Sequence, residues 1–264
     1  MQAVKTDQAV KADQAVNADQ AVNADQAGPF YWDEYRHTSV GRYLFRHEHD
    51  FITRALGGTT DPCGLLDVGC GSGSLTLPLH NAGLAVVGLD ISPVALAAFR
   101  RRCTAVPLVM GDGTRLPFAD GSFDGVIATQ SFDFVEHRPF LRECSRVLRL
   151  GGLLIFDALN RRSYKGLLKM RFARALRLPS ATIDRLPSAN LDCREVLRAV
   201  ADQGFAIEAV SGYNWVPFTR HSDSNLVGAA ALLERALRLD RLYSLSPKIL
   251  VAARKTNRHA RRVC

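Results

Sequence analysis

The sequence predicts an α/β fold: an open, mostly parallel sheet with helices on both faces. Three observations carry that expectation. From residue 64 onward, short apolar runs alternate with segments of helical period, and strands that alternate with helices build a parallel sheet covered on both sides. "LLDVGCGSG", which begins at Leu65, reads as a buried strand running into a turn with Gly69, Gly71 and Gly73. A second apolar run then ends on Asp90, an acid at the point where a strand gives way to a loop.

The elements follow in order. Residues 1–28 are a hexad repeat, "DQAVKA" at Asp7, "DQAVNA" at Asp13 and Asp19, and a partial "DQA" at Asp25. Six residues advance a helix by about 600°, so successive valines fall about 120° apart and no apolar face forms. Such low-complexity sequence is expected to stay disordered. A domain is expected over 29–254, beginning with an aromatic-rich helical segment at 30–52. Strands are predicted at 64–68, 85–89, 108–110, 123–129, 153–158, 206–210 and 249–253, seven in all. Helices are predicted at 74–81, 93–102, 139–148, 194–203 and 225–237. Pro93 suits a first helical turn and Ser92 its N-cap. A basic helical insertion or lid occupies about 160–200, and a basic tail runs over 255–264.

Composition excludes several classes. Apolar residues make up 47% and charged residues 23% of the 264, an ordinary globular balance, and no window offers the roughly 18 apolar residues of a membrane span. The six cysteines form no C-x-x-C pair. Cys70 and Cys144 lie in apolar periodic segments, as reduced, buried small hydrophobes do, and a reducing cytoplasmic compartment is expected. The net charge of +8 is concentrated in two stretches without acids. One is Arg254, Lys255, Arg258, Arg261 and Arg262. The other is Arg161, Arg162, Lys165, Lys169, Arg171, Arg174 and Arg177. The remainder is net negative and offers nucleic acid no broad basic face.

Ligands of open parallel sheets bind beyond the carboxyl ends of the strands, where strand order reverses. The glycine turn falls there. A dinucleotide fingerprint requires G-x-G-x-x-G, but Ser74 stands five residues after Gly69. S-adenosylmethionine has no pyrophosphate; it presents a ribose diol, an adenine and a zwitterionic amino acid. Asp67 suits orientation of the ammonium end, Asp90 acceptance from both ribose hydroxyls, and Asp112, with the Gly113 backbone, the adenine amino group. Cys70, Gly71 and Gly73 in the loop, Ile91 just past Asp90, and Gln130 past the fourth strand complete the expected cofactor-binding set. Ser131 is expected beside Gln130 at the methionine end.

"LLDVGCGSG", "VVGLDIS", "GDGTRLPFADGSFDGVIA" and "RVLRLGGLLIF" resemble the motifs of class I S-adenosylmethionine-dependent methyltransferases, in that family's order, over about residues 60–158. Leu150 stands where the family usually has proline. The resemblance implies a Rossmann-like seven-stranded sheet with the last strand antiparallel, S-adenosylmethionine as cofactor, and methyl transfer to an acceptor.

For the acceptor, Asp133, Glu136 and His137 follow an acid-x-x-Glu-His pattern similar to the E-x-x-E-H segment of the ubiquinone-biosynthesis O-methyltransferases. "ALNRRSYKGLLKMRFARALRLPS" resembles their segment after the fifth strand, where a membrane-contacting insertion follows. The resemblance implies a small lipophilic hydroxylated or carbon acceptor, with Glu136 and His137 as catalytic candidates. Both also suit plain helix entry. No metal is expected; Asp133, Glu136 and His137 are the candidate ligands were one held. Tyr164, Leu167, Leu168, Phe172, Ala175 and Leu176 share a helical face, with Lys165, Lys169, Arg174 and Arg177 largely off it. That pattern fits peripheral contact of 161–178 with the inner membrane face, or a helix docked on its own domain. The aromatic stretch 212–220 fits a wall of an acceptor pocket, or core.

A nucleic-acid (RNA) methyltransferase and a non-catalytic, cofactor-binding partner protein are the alternatives. "TQSF" stands where amino-directed base methylation shows D/N-P-P-Y/F, and Pro62–Cys63 precedes the first strand rather than following the fourth. The coexistence of Asp67, Gly69, Gly71 and Asp90 argues against a lapsed site.

Overall fold

The computed structural model describes residues 35–57, 64–168, 191–218 and 222–257. The hexad repeat, residues 169–190 of the insertion and the tail beyond 257 lie outside them.

Seven strands form one sheet in the order β3-β2-β1-β4-β5-β7-β6. They are β1 (Leu65–Val68), β2 (Val86–Asp90), β3 (Leu108–Met110), β4 (Phe123–Ala128), β5 (Leu148–Leu159), β6 (Phe205–Tyr213) and β7 (Lys248–Lys255). β1 pairs in parallel with both β2 and β4, β2 with β3, and β4 with β5. β7 runs antiparallel between β5 and β6. The chain moves outward from β1 to β3 and returns to start β4 on the other side of β1, so strand order reverses between β1 and β4. All seven predicted strands are present, with the last reversed.

Alternation sorts each strand between two cores. Val126 and Ala128 of β4 and Leu154, Phe156 and Ala158 of β5 point to one face, with Phe132, Phe140 and Val200. Ile127, Leu153 and Ile155 point to the other, with Ile52, Leu75 and Tyr213. Because both faces are covered, the strands read as continuous apolar runs. The first face is covered by α4 (His137–Val147) and α5 (Cys193–Asp202). The second is covered by α1 (Ser39–Ala55), α2 (Thr76–Asn81) and α6 (Leu226–Ala236).

α3 (Pro93–Arg102) has the predicted bounds, and the Ser92 hydroxyl caps it by accepting from the Ala95 N–H at 3.1 Å. β5 begins at Leu148 instead of 153: Leu148 already pairs with Phe123, and a register shift absorbs the Gly151–Gly152 segment that reads as a turn. α4 starts at His137, two residues early. β7 extends through Arg254 and Lys255, both counted with the basic tail; Arg254 pairs with Glu208, and Lys255 Nζ donates to the Leu148 carbonyl at 2.6 Å.

The described start of the insertion is helical over 164–168; Tyr164 and Lys165 turn toward the 214–216 turn, and Leu167 and Leu168 face away from it. Lys165 Nζ donates to the Asn214 and Val216 carbonyls at 2.9 and 2.6 Å, and burial lowers its pKa to about 8. Leu167 and Leu168 are exposed. The carbonyls of the 214–216 turn satisfy the ammonium better than the helical period anticipates.

Candidate active site

The loop after β1 is built around two donors to one carbonyl: the Gly69 and Cys70 N–H groups reach the Leu89 carbonyl at 2.7 and 3.0 Å, stitching the ends of β1 and β2 together. Gly69 sits at φ +78°, and a Cβ there would stand 2.5 Å from Ser131 Cβ. Gly73, at φ +86°, would place a Cβ 2.4 Å from the buried Phe99 ring. Left-handed backbone and close approach both require glycine at these points. Ser131 therefore packs over the loop, its hydroxyl donating to the Val68 carbonyl at 2.8 Å.

Asp90 ends β2 with its carboxylate held from below. Oδ2 accepts from the Gly71 N–H at 2.8 Å and Oδ1 from the Ser92 N–H at 2.9 Å. Beside it, Ile91 is half exposed, an apolar surface on the rim. Asp67 is buried and accepts from the Thr76 hydroxyl at 2.6 Å, pinning β1 to α2. Burial, and more weakly the Asp90 charge, push its pKa up to about 6 against the effect of that hydrogen bond. Cys70 turns its thiol inward, beside Phe99 and Val106, where burial raises its pKa. Asp112, exposed beyond β3, caps a turn by accepting from the Thr114 N–H at 2.8 Å. Gly113 leaves room for Val68 and Phe140, which a Cβ would meet at 3.0 and 3.3 Å. Asp67, the glycine loop, Asp90, Ile91, Asp112, Gly113 and Gln130 thus gather along the carboxyl ends of four adjacent strands.

Gln130 has φ +57°. Its N–H donates to Asp157 Oδ1, and its side-chain Nε2 lies 3.0 and 3.1 Å from the two oxygens of Glu48. The Tyr213 hydroxyl lies 3.0 Å from Glu48 Oε1 and 2.8 Å from Asp157 Oδ2. Lys248 pairs with Asp157 on the same oxygen. Glu48 and Asp157 are both buried.

Past β4, Asp133 is buried and accepts from the Leu159 N–H at 3.0 Å, joining the β4 and β5 ends. Glu136 is the N-cap residue of α4 and makes no side-chain capping bond. His137 begins that helix with its ring 4.6 Å from Phe132. Its Nε2 is buried without a hydrogen-bond partner, and burial lowers its pKa to about 4, so the imidazole is neutral. Among the described residues no group of three His, Cys, Asp or Glu side chains is arranged to hold a metal ion, and Asp133, Glu136 and His137 are not brought together as one.

Sequence reading overlooked Glu48, Asp157, Tyr213 and Lys248. For Asp157 and Lys248 a signal existed: each is a charge beside or inside an apolar strand run, "LLIFDAL" and "KILVAA", and buried charges are rare unless paired.

This architecture, with its ligand-facing edge at the β1/β4 reversal, is that of the Rossmann-like methyltransferase fold. Residues 66–156 match the family model described as a methyltransferase domain. A demethylmenaquinone methyltransferase of Paenarthrobacter aurescens is 32% identical over 182 residues, covering 67% of this chain and 70% of the relative. One of Mycolicibacterium vanbaalenii is 36% identical over 157 residues, covering 57% and 67%. The chain belongs to the class I S-adenosylmethionine-dependent methyltransferases. Among solved structures, the geranyl diphosphate C-methyltransferase of Streptomyces coelicolor aligns with TM-score 0.57 at 19% identity, over 87% of this chain and 85% of that one. The [4+2]-cyclase SpnF aligns with TM-score 0.56 at 21% identity, over 79% of each. A cyclase among the neighbours illustrates that the fold alone does not fix a reaction.

Proposed function

We propose that the carboxyl edge of β1 to β4 holds S-adenosylmethionine and presents its methyl group to a small lipophilic acceptor of the hydroquinone kind, methylated at ring carbon or hydroxyl. Asp90 carries the reading. Two backbone N–H groups orient its carboxylate at the end of β2, on the ligand-binding edge of the sheet, where an acid suits acceptance from a vicinal diol. Ile91 offers the adenine an apolar face, and Asp112 and Gly113 meet its amino edge. The loop from Gly69 to Gly73 lets the ligand approach the backbone, and Asp67 and Gln130 border the methionine end. The names of the relatives support the quinone-like acceptor.

Methyl transfer from a sulfonium is an in-line displacement. The cofactor supplies the activated methyl group; the protein's part is alignment and, for an acceptor that must shed a proton, a base. His137 is the candidate base: a neutral imidazole with an unpartnered Nε2. Glu136 stands beside it at the helix entry. No step calls for a metal.

The membrane reading of 161–178 rests, among the described residues, on exposed Leu167 and Leu168 next to Arg161 and Arg162. No described helix is long and apolar enough to cross a membrane, so contact would be peripheral.

Two assays test the proposal. Calorimetric titration with S-adenosylhomocysteine should give micromolar-range binding that Asp90→Ala weakens. Transfer of labelled methyl should favour a short-chain demethylmenaquinol over catechol and over transfer RNA. Labelling of RNA would support the nucleic-acid alternative. Cofactor binding without transfer to any acceptor would support the non-catalytic one.

A further inference from the structure

Below α1 lies a buried hydrogen-bond chain that the transfer step itself does not use. It contains two carboxyl groups, one ammonium and one phenol: Glu48, Asp157, Lys248 and Tyr213. Proton counting fixes its state. The Tyr213 hydroxyl has one proton but lies within hydrogen-bond distance of Glu48 Oε1, at 3.0 Å, and of Asp157 Oδ2, at 2.8 Å. With both carboxyls ionised, one of these contacts would set lone pairs against lone pairs in a dry interior, at the cost of an unmet buried acceptor. Asp157 receives the Lys248 ammonium and the Gln130 N–H. The groups within hydrogen-bond reach of Glu48 are the Gln130 amide and the Tyr213 hydroxyl. The charge therefore belongs on Asp157 and the additional proton on Glu48. The donors then converge on Asp157: Glu48 O–H donates to Tyr213, Tyr213 O–H donates to Asp157, and the Lys248 ammonium donates to Asp157 as well. The second Glu48 oxygen remains to accept from Gln130.

We propose that Glu48, acting as a neutral carboxylic acid, is a positioning residue of the methyl-transfer site, holding Gln130 in its left-handed conformation through Tyr213 and Asp157. A non-glycine residue at φ +57° is unfavourable and persists only where its surroundings determine it. Here both ends of Gln130 are fixed, its backbone by Asp157 and its side chain by Glu48. This inference rests on the reading that Gln130 borders the methionine end of the cofactor. Burial and the Asp157 charge push the Glu48 pKa up to about 7, against the effects of Lys248, the Gln130 hydrogen bond and Arg36. These groups and Tyr213 are the polar and charged neighbours that the short Tyr35–His37 helix, β5, β6, β7 and the β4 loop bring to it.

The test compares Glu48→Gln, Glu48→Ala and Tyr213→Phe in the full chain, titrated with S-adenosylhomocysteine and with 5′-methylthioadenosine, which lacks the amino-acid portion. Glu48→Gln can keep the chain, its amide nitrogen donating to Tyr213 and its carbonyl accepting from Gln130. It should bind S-adenosylhomocysteine within about threefold of wild type. Glu48→Ala should weaken that ligand by about tenfold or more, Tyr213→Phe by less, and 5′-methylthioadenosine affinity should change by less than about twofold in each. Wild-type affinity for S-adenosylhomocysteine should fall as pH rises through about 7, where the acid ionises; Glu48→Gln should lack that step. Equal loss in Glu48→Gln and Glu48→Ala would overturn the inference, because it would mean that the carboxylate charge itself is needed. Parallel loss of both ligands would overturn it too, as general damage to the fold. Failure of the pocket reading looks different: Asp90→Ala would then leave both affinities unchanged.

Discussion

On the proposed reading Asp90 has two roles, and two readouts of one substitution separate them. Asp90→Ala removes the acceptor for the Gly71 and Ser92 N–H groups, at 2.8 and 2.9 Å. Hydrogen bonds to a charged group contribute about 1.5–3 kcal/mol each when buried. The site is only partly buried, and water replaces part of the loss, so a destabilisation of about 1–3 kcal/mol is expected. At about 2–4 °C per kcal/mol for a domain of this size, Tm should fall by roughly 2–12 °C in a calorimetric scan without ligand. If Asp90 holds the ribose diol, that diol loses its charged acceptor as well, and S-adenosylhomocysteine should weaken by a further factor of about 10–150 in a titration well below Tm. Asp90→Asn keeps one neutral acceptor and should fall between. A lowered Tm with unchanged affinity would refute the ribose assignment and leave Asp90 as a clamp on the glycine loop alone.

Three further outcomes are expected. Gly73→Ala combines a φ of +86° with a Cβ 2.4 Å from the Phe99 ring and should cost about 2–5 kcal/mol in urea unfolding; Gly83→Ala, at φ +89° with nothing within 4 Å, should cost about 1–2 kcal/mol. His137 has its pKa lowered to about 4 from 6.5 by burial, so the stability tied to its neutral form is complete above pH 6.5 and is lost as pH falls towards 4; the difference in unfolding free energy between wild type and His137→Phe should change in that window and be flat above it. Sedimentation with anionic vesicles should exceed that with neutral ones, and Leu167→Ser with Leu168→Ser should reduce it; equal sedimentation with both vesicle types would remove the membrane reading of this segment.

The elements read correctly from sequence are those whose determinants are local. α3 has its bounds because Ser92, Pro93 and a β-branched-poor run settle both ends within ten residues. The candidate edge was legible for the same reason: each acid or glycine falls at or just past the carboxyl end of its own strand, and the α/β architecture puts such positions on one edge. β5 was shortened because Gly151 and Gly152 look like a turn, and nothing local reveals that Leu148 pairs across to Phe123. Glu48 was hidden by composition. "RHEHD" looks like a solvated helix face, yet its spacing of four from Leu44 and from Ile52 places it on the buried stripe of α1. The orientation of Lys165 was illegible, because its partners, Asn214 and Val216, lie about fifty residues away.

The same division between local and distant determinants bears on the proposed acceptor. On the proposed reading the acceptor side would be assembled from segments far apart in the chain, and Asn160 shows how those segments are held. Buried at the end of β5, it donates through Nδ2 to the Ser244 and Ser246 carbonyls at 2.9 and 3.0 Å. Its Oδ1 accepts from the Arg162 and Cys193 N–H groups at 3.2 and 3.3 Å. One side chain thus ties β5, the turn before β7, the start of the insertion and the N-terminus of α5. The insertion then reaches the 214–216 turn through Tyr164, whose ring stacks on Trp215 at 5.5 Å and whose hydroxyl donates to the Trp215 carbonyl at 2.6 Å. An amide saturated at both ends acts as a junction for the backbone and has no bond left for an acceptor molecule. If the proposed acceptor meets this part of the chain, it would do so at the surfaces the junction positions, the aromatic pair and its apolar neighbours, which suit a flat, lipophilic ring better than a charged or heavily hydrated substrate.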